Sequence, residues 1–280
     1  MFEQADSPAR ARFVSLAGLS DGEIDLAEAA LLIAAEEQPG LDPDLWLQRL
    51  DQMAAHLWPR LQGVHNELDR LTVLSDFLTR EAGLRGNNED YYDARNSYLN
   101  EVLDRGLGIP ISLSILWIEV GRRVGIPLQG VGFPGHFLLR HARFPQILLD
   151  PFDEGRLLTQ DDCRTLLERV SGGRMTFHPD LLKPVGPRHM LLRLLGNLRA
   201  IYIHRGHLPG AIAVLDRMRL LDPEDPDVLR DRGLLRLQWG DLAGGIEDLE
   251  ELLEIAPFGL DEEGLVSLVA ETRRRLDMVH

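Results

Sequence analysis

Residues 106–158 read GLGIPISLSILWIEVGRRVGIPLQGVGFPGHFLLRHARFPQILLDPFDEGRLL, and the change of grammar inside this stretch decides the fold. Its first part, from the breaker-rich Arg105-Gly106-Leu107-Gly108-Ile109-Pro110, delivers a strongly apolar helix expected from about Ser112 to Val124, closed by Gly125-Ile126-Pro127. Its second part breaks into short apolar runs, Leu128–Val131, His136–Arg140 and Gln146–Asp150, separated by Gly and Pro, which is the pattern of a small antiparallel sheet. A hairpin turn centred near Arg143 would set His136 opposite Asp150 on adjacent strands, with both side chains leaving one face. A carboxylate so placed orients an imidazole; the same pair would also serve simply to tie a hairpin together.

Outward on the N-terminal side, residues 20–85 show apolar positions at intervals of three and four, as in Leu45-Leu47-Leu50-Met53-Leu57, so amphipathic helices are expected with breaks at Asp42-Pro43 and Trp58-Pro59. On the C-terminal side a repeat stands out. Gly206 and Gly240 lie 34 residues apart, as do Leu208 and Leu242, Ile212 and Ile246, Leu215 and Leu249, and Pro223 and Pro257. A 34-residue period with two helices per unit is the tetratricopeptide repeat. The second unit is weaker, with Arg236 where the pattern has Tyr and Gly245 where Ala is usual, and Leu265–Leu276 offers a capping helix. The expected division is therefore 1–188 for the helical segment and mixed domain, and 189–280 for the repeats.

Composition narrows the function. The 280 residues are 44% hydrophobic and carry a net charge of −15, which opposes binding to a phosphate backbone, so nucleic acid is not an expected partner. Lys183 is the single lysine, which leaves no GxxxxGK[ST] phosphate loop. The single Cys163 can form no internal disulfide, and the N-terminal residues hold no apolar run of signal-peptide length; a cytoplasmic setting without membrane contact is expected. Gly130–Gly135 spells G-x-G-x-x-G, but a dinucleotide site needs a helix directly after the glycines and here a strand pattern follows. His204 and His207 lack carboxylate or thiol companions at ligand spacing, so no metal and no cofactor is expected.

Ser112 would stand at a helix start, where exposed N–H groups and the positive dipole end favour a developing negative charge. A Cys there would gain a stabilised thiolate, whereas a serine hydroxyl needs a bonded base and is equally at home as an N-cap.

Together, Asn96-Ser97-Tyr98-Leu99-Asn100-Glu101, Gly108-Ile109-Pro110-Ile111-Ser112-Leu113-Ser114, Gly132-Phe133-Pro134-Gly135-His136-Phe137 and Asp150-Pro151-Phe152 resemble the Sir-B-type bacterial proteins, in which a transglutaminase-like domain precedes tetratricopeptide repeats. The resemblance implies an α+β fold: a mostly helical transglutaminase-like (papain-like) core with a small antiparallel sheet, then an all-α repeat module. It implies a Cys-His-Asp pattern in which His136 and Asp150 take the second and third roles. The first falls on Ser112, or two residues away on Pro110 or Ser114, and none of these is Cys. Cys163 follows the Asp in chain order and does not fit that role. Asn96 and Asn100 are expected to line the cleft or to cap helices. The leading expectation is a catalytically degenerate protein that binds a protein or peptide through the repeats and the residual cleft. The alternative is an active hydrolase or acyl-transfer enzyme using Ser112, His136 and Asp150. The repeat module's 11 Arg against 17 acids suits a basic partner.

Overall fold

A computed structural model describes residues 7–255 and 262–278, and its contacts divide the chain into two compact units between Leu194 and Leu195. The first opens with α1 (Pro8–Ala17), α2 (Leu26–Glu37), α3 (Pro43–Leu61) and α4 (Glu67–Asp76). Each start is capped by a side-chain oxygen: Ser7 accepts from the Arg10 N–H, Asp25 from Glu28, Asp42 from Asp44 and Asn66 from Leu68. The Asp42-Pro43 boundary stands as expected. Trp58-Pro59 does not end a helix: α3 runs on to Leu61, because Pro59 falls in the last turn, where its missing N–H costs one bond near an end that frays anyway. After α4 the chain continues into a π-helical turn, Phe77–Glu81, closed by the Ala82 N–H on the Phe77 carbonyl at 2.9 Å.

The short strands β1 (Arg85–Gly86) and β2 (Leu107–Gly108) pair in parallel and bracket α5 (Leu99–Arg105). They lead into α6 (Pro110–Arg123), in which Pro110–Trp117 and Glu119–Gly121 are all buried, making it the central helix of this unit. It begins two residues before the expected Ser112. Pro110 takes the first helical position, where its fixed φ is suited and its missing N–H is not needed. The sheet comprises β3 (Leu128–Val131), β4 (Leu138–His141), β5 (Leu148–Asp150), β6 (Arg156–Leu158) and β7 (Pro184–Val185), antiparallel in the order β6-β5-β4-β3-β7. Against it, α7 (Gln160–Ser171) packs Cys163 and Leu167 onto Val131, Phe133, Leu138 and Leu148.

The second unit continues from α8 (Pro187–His204), within which the division falls, through α9 (Leu208–Leu221), α10 (Pro226–Trp239), α11 (Leu242–Ile255) and α12 (Glu262–Asp277). Gly206 and Gly240, the repeat's landmark pair, both adopt positive φ (67° and 96°) in the turns between paired helices. Leu229, Ile246, Leu249, Leu252 and Val269 form the core here, so α12 packs against the second hairpin. Arg236, standing where the repeat pattern has Tyr, reaches Asp216 at 3.2 Å and Asp248 at 3.1 Å. The second hairpin thus uses an ionic wedge where an aromatic one is usual. The architecture is α+β, a mostly helical unit with a small antiparallel sheet followed by helical hairpins. Among the described residues no helix is long and apolar enough to cross a membrane.

Candidate functional site

The β4–β5 hairpin brings His136 and Asp150 together, though not by the expected register. Leu139 faces Leu149 and Arg140 faces Leu148, an offset of two from the pairing that would set His136 directly across from Asp150. An offset of two preserves which face each side chain uses, because the strand period is two. His136 itself lies outside the strand, in the bend before β4, where its N–H donates to the Phe133 carbonyl at 3.0 Å. From there its Nε2 meets Asp150 Oδ2 at 2.7 Å, with side-chain exposures of 11% and 9%.

Asp150 is held from its other oxygen. Oδ1 accepts the N–H groups of Phe152 at 3.0 Å and Asp153 at 3.3 Å, capping the short 3-10 turn Pro151–Asp153. A carboxylate fixed by its own backbone holds the imidazole in one orientation, with Nε2 turned to Asp150 and Nδ1 away from it. Phe152 stacks edge-on to His136 with ring centroids 5.9 Å apart, and Tyr91 stacks edge-on to Phe152 at 6.2 Å. Burial pushes the Tyr91 phenol above its ordinary pKa; the neighbouring Tyr92 adds to the rise and Arg193 opposes it. Phe152 also packs so tightly on β1 that a Cβ added at Gly86 would lie 2.7 Å from its ring. This aromatic wall was not singled out from the sequence. Its one signal was the run Asp150-Pro151-Phe152, where the capping turn fixes the ring beside the carboxylate.

Ser112 stands inside the first turn of α6. It is the third residue of α6 and fully buried, and its Oγ accepts the Ile109 N–H at 3.1 Å. Its single proton goes to the Asn96 carbonyl at 2.6 Å, with the Ile109 carbonyl at 3.2 Å. No hydrogen bond among the described residues joins it to His136. So it is not the N-cap either; it fastens the start of α6 to the 3-10 turn Ala94–Asn96. Of the neighbouring candidates, Pro110 has no nucleophilic atom, and Ser114 is fully buried with an Oγ that meets no partner among the described residues.

The two asparagines are buried, and each side-chain N–H group donates within the fold. Asn96 is fully buried, donating to the Asp90 carbonyl at 2.7 Å and accepting from Asn87 at 3.0 Å and Arg105 at 3.2 Å. Asn100, 5% exposed, donates to Gln38 Oε1 at 2.7 Å. Neither caps a helix. The glycines of 130–135 end β3 and turn back into β4 with no helix following, so the phosphate-cradling geometry is not built. His207 caps α9, its Nδ1 accepting the Gly210 N–H at 3.0 Å.

Cys163 lies in the core beneath the sheet, and its thiol is pushed up to about 11, first by burial and then by the charges of Asp162 and Asp150. A thiol so raised holds almost no thiolate at neutral pH. Native protein should therefore gain no mass from iodoacetamide at pH 7.5, while the same protein in denaturant gains one adduct; rapid labelling of the native form would contradict this placement.

Comparison with known proteins agrees with this architecture. A family model described as the transglutaminase-like superfamily matches residues 44–196, and one described as the tetratricopeptide repeat matches residues 198–279. The chain is 39% identical over 250 residues to a UPF0162 protein of Xylella fastidiosa (strain 9a5c), covering 87% of this chain and 88% of that one. It is 36% identical over 198 residues to a UPF0162 protein of Pseudomonas aeruginosa, covering 71% and 72%. It is also 36% identical over 140 residues to F-box only protein 21 of Mus musculus, covering 47% of this chain and 21% of that one. No solved structure matches it.

Proposed function

The chain belongs to the transglutaminase-like superfamily and to the UPF0162 proteins, and from that premise we propose that it is a catalytically degenerate member that works by binding a protein or peptide. The repeat helices and the residual cleft at His136 are the binding surfaces of this proposal, and no cofactor or metal takes part. Affiliation with the Sir-B-type proteins and a cytoplasmic setting belong to the same proposal. The first rests on the motif resemblance, the second on a single cysteine that can form no internal disulfide. The 11 Arg against 17 acids of residues 189–280 point to a partner with a basic surface.

One observation carries the loss of catalysis. The Ser112 proton is committed to the Asn96 carbonyl at 2.6 Å in a fully buried position, while acyl transfer by a hydroxyl requires that proton to be aimed at a base. A second reading, an active Ser-His-Asp hydrolase or acyl-transfer enzyme, is favoured by the intact 2.7 Å bond between His136 and Asp150. For it to work, Ser112 would have to leave Asn96 and reach His136 Nδ1.

The proposal explains the surviving pair as a structural tie between the bend and β5. His136→Ala is then expected to lower stability by about 1–3 kcal/mol and to leave hydrolysis of p-nitrophenyl esters at the uncatalysed rate, as in the unaltered protein. Ester turnover by the unaltered protein that vanishes in a folded His136→Ala would favour the hydrolase.

A further inference from the structure

Away from the His136–Asp150 pair, α3, the π-helical turn and α5 line an open cavity of about 480 Å³, within the size range of small-ligand sites. Its floor is apolar, made by Met53, Phe77, Leu84 and Leu103, and Arg49 and His56 stand at its rim. One wall is the π-turn Phe77–Glu81 itself. Such turns give up regular helical bonding and are frequent at functional sites.

The charges at the rim are arranged for an anion. Arg49 lies over the Trp46 ring at 5.2 Å and donates to the Leu103 carbonyl at 2.9 Å, so its position does not depend on its ion pair with Asp104. That pair is exposed on both sides, 41% and 60%, and exposed pairs contribute little. An incoming carboxylate can therefore exchange with Asp104 while the guanidinium stays in place. The carboxylate of Glu81, also on the wall, is already neutralised by Arg60 through both oxygens. Arg60 in turn lies over Phe77 at 5.7 Å, leaving that ring face unavailable to a ligand cation. Arg60 also contacts His56 Nε2 at 3.2 Å.

We propose that this cavity binds a small planar aromatic carboxylate, its ring against Met53, Leu84 and Leu103 and its carboxylate paired with Arg49. The site is independent of the Ser112 and His136 reading, and its failure would leave that reading untouched. The test is isothermal titration of the full-length protein with 1-naphthoate, and with 1-naphthylmethylammonium as the cation of the same shape. Saturable binding of the naphthoate alone is expected. It should weaken by about tenfold in Arg49→Gln, the loss of one charge-assisted pair, and disappear in Met53→Trp, where the indole fills the floor. Melting curves check that both variants fold. Arg49 is exposed enough that its replacement carries the test even if Met53→Trp does not fold. The proposal is overturned by absence of saturable naphthoate binding up to about 1 mM, the weak end of specific affinities. Equal affinity in Arg49→Gln would overturn it too, as would binding of the cation as tight as that of the naphthoate.

Discussion

Gly155→Ala is expected to unfold the first compact unit or bring it close to unfolding. Gly155 follows the turn that Asp150 caps, at φ 73°, and a Cβ there would lie 2.2 Å from the Trp117 ring and 2.6 Å from Ser75 Oγ. Trp117 is fully buried in α6, the helix around which the unit is built, so it cannot swing outward. The left-handed backbone costs an L-residue roughly 1–2 kcal/mol, and overpacking a buried ring adds about 1–3 kcal/mol. Together these come to about 2–5 kcal/mol, which reaches the lower end of an ordinary domain's stability. Peptide-resolved hydrogen exchange should show protection lost from α6 and β5 in the variant. Protection equal to that of the unaltered protein would mean that the 150–155 loop is not clamped on Trp117.

The second large effect lies in the repeats. Asp248, 1% exposed, accepts from Arg232 Nε at 2.9 Å and Nη2 at 2.5 Å and from Arg236 Nη1 at 3.1 Å. Asp248→Ala would strand Arg232, itself 7% exposed, with Asp216 at 2.8 Å as its remaining carboxylate. Removing one partner of a buried ion pair costs about 3–5 kcal/mol, whereas replacing both by apolar groups of like volume is often neutral. Asp248→Ala should therefore bring the denaturation of α10 and α11 to much lower urea, and the double change Asp248→Leu with Arg232→Met should recover most of the loss. A single variant as stable as the unaltered protein would show that the network is solvated and contributes little.

What was legible beforehand follows from how local each signal is. The repeat was readable because its landmarks recur at a fixed 34-residue interval, and α6 because its apolar run is long and bounded by Gly and Pro. The facing of His136 and Asp150 was readable because side-chain parity survives a slip of two. The register itself was not. The turn is set by His141, whose buried Nδ1 accepts the N–H groups of Arg143 at 3.3 Å and Phe144 at 3.2 Å, and no pattern of apolar residues announces that bond. The fate of the Ser112 proton was hidden for a like reason. Its acceptor, the Asn96 carbonyl, is backbone sixteen residues earlier, and the sequence of a backbone acceptor carries no mark of its use. Arg236 looked like a flaw in the repeat because its partners, Asp216 and Asp248, lie on the helices before and after it.

That the Ser112 hydroxyl is committed to structure and unavailable for acyl chemistry is open to a direct test: the folded protein is treated with a serine-directed fluorophosphonate and its intact mass is read beside those of Ser112→Ala and His136→Ala. No added mass is expected in any of the three. Stoichiometric labelling of the unaltered protein that disappears in both variants would contradict it and establish a working Ser-His site.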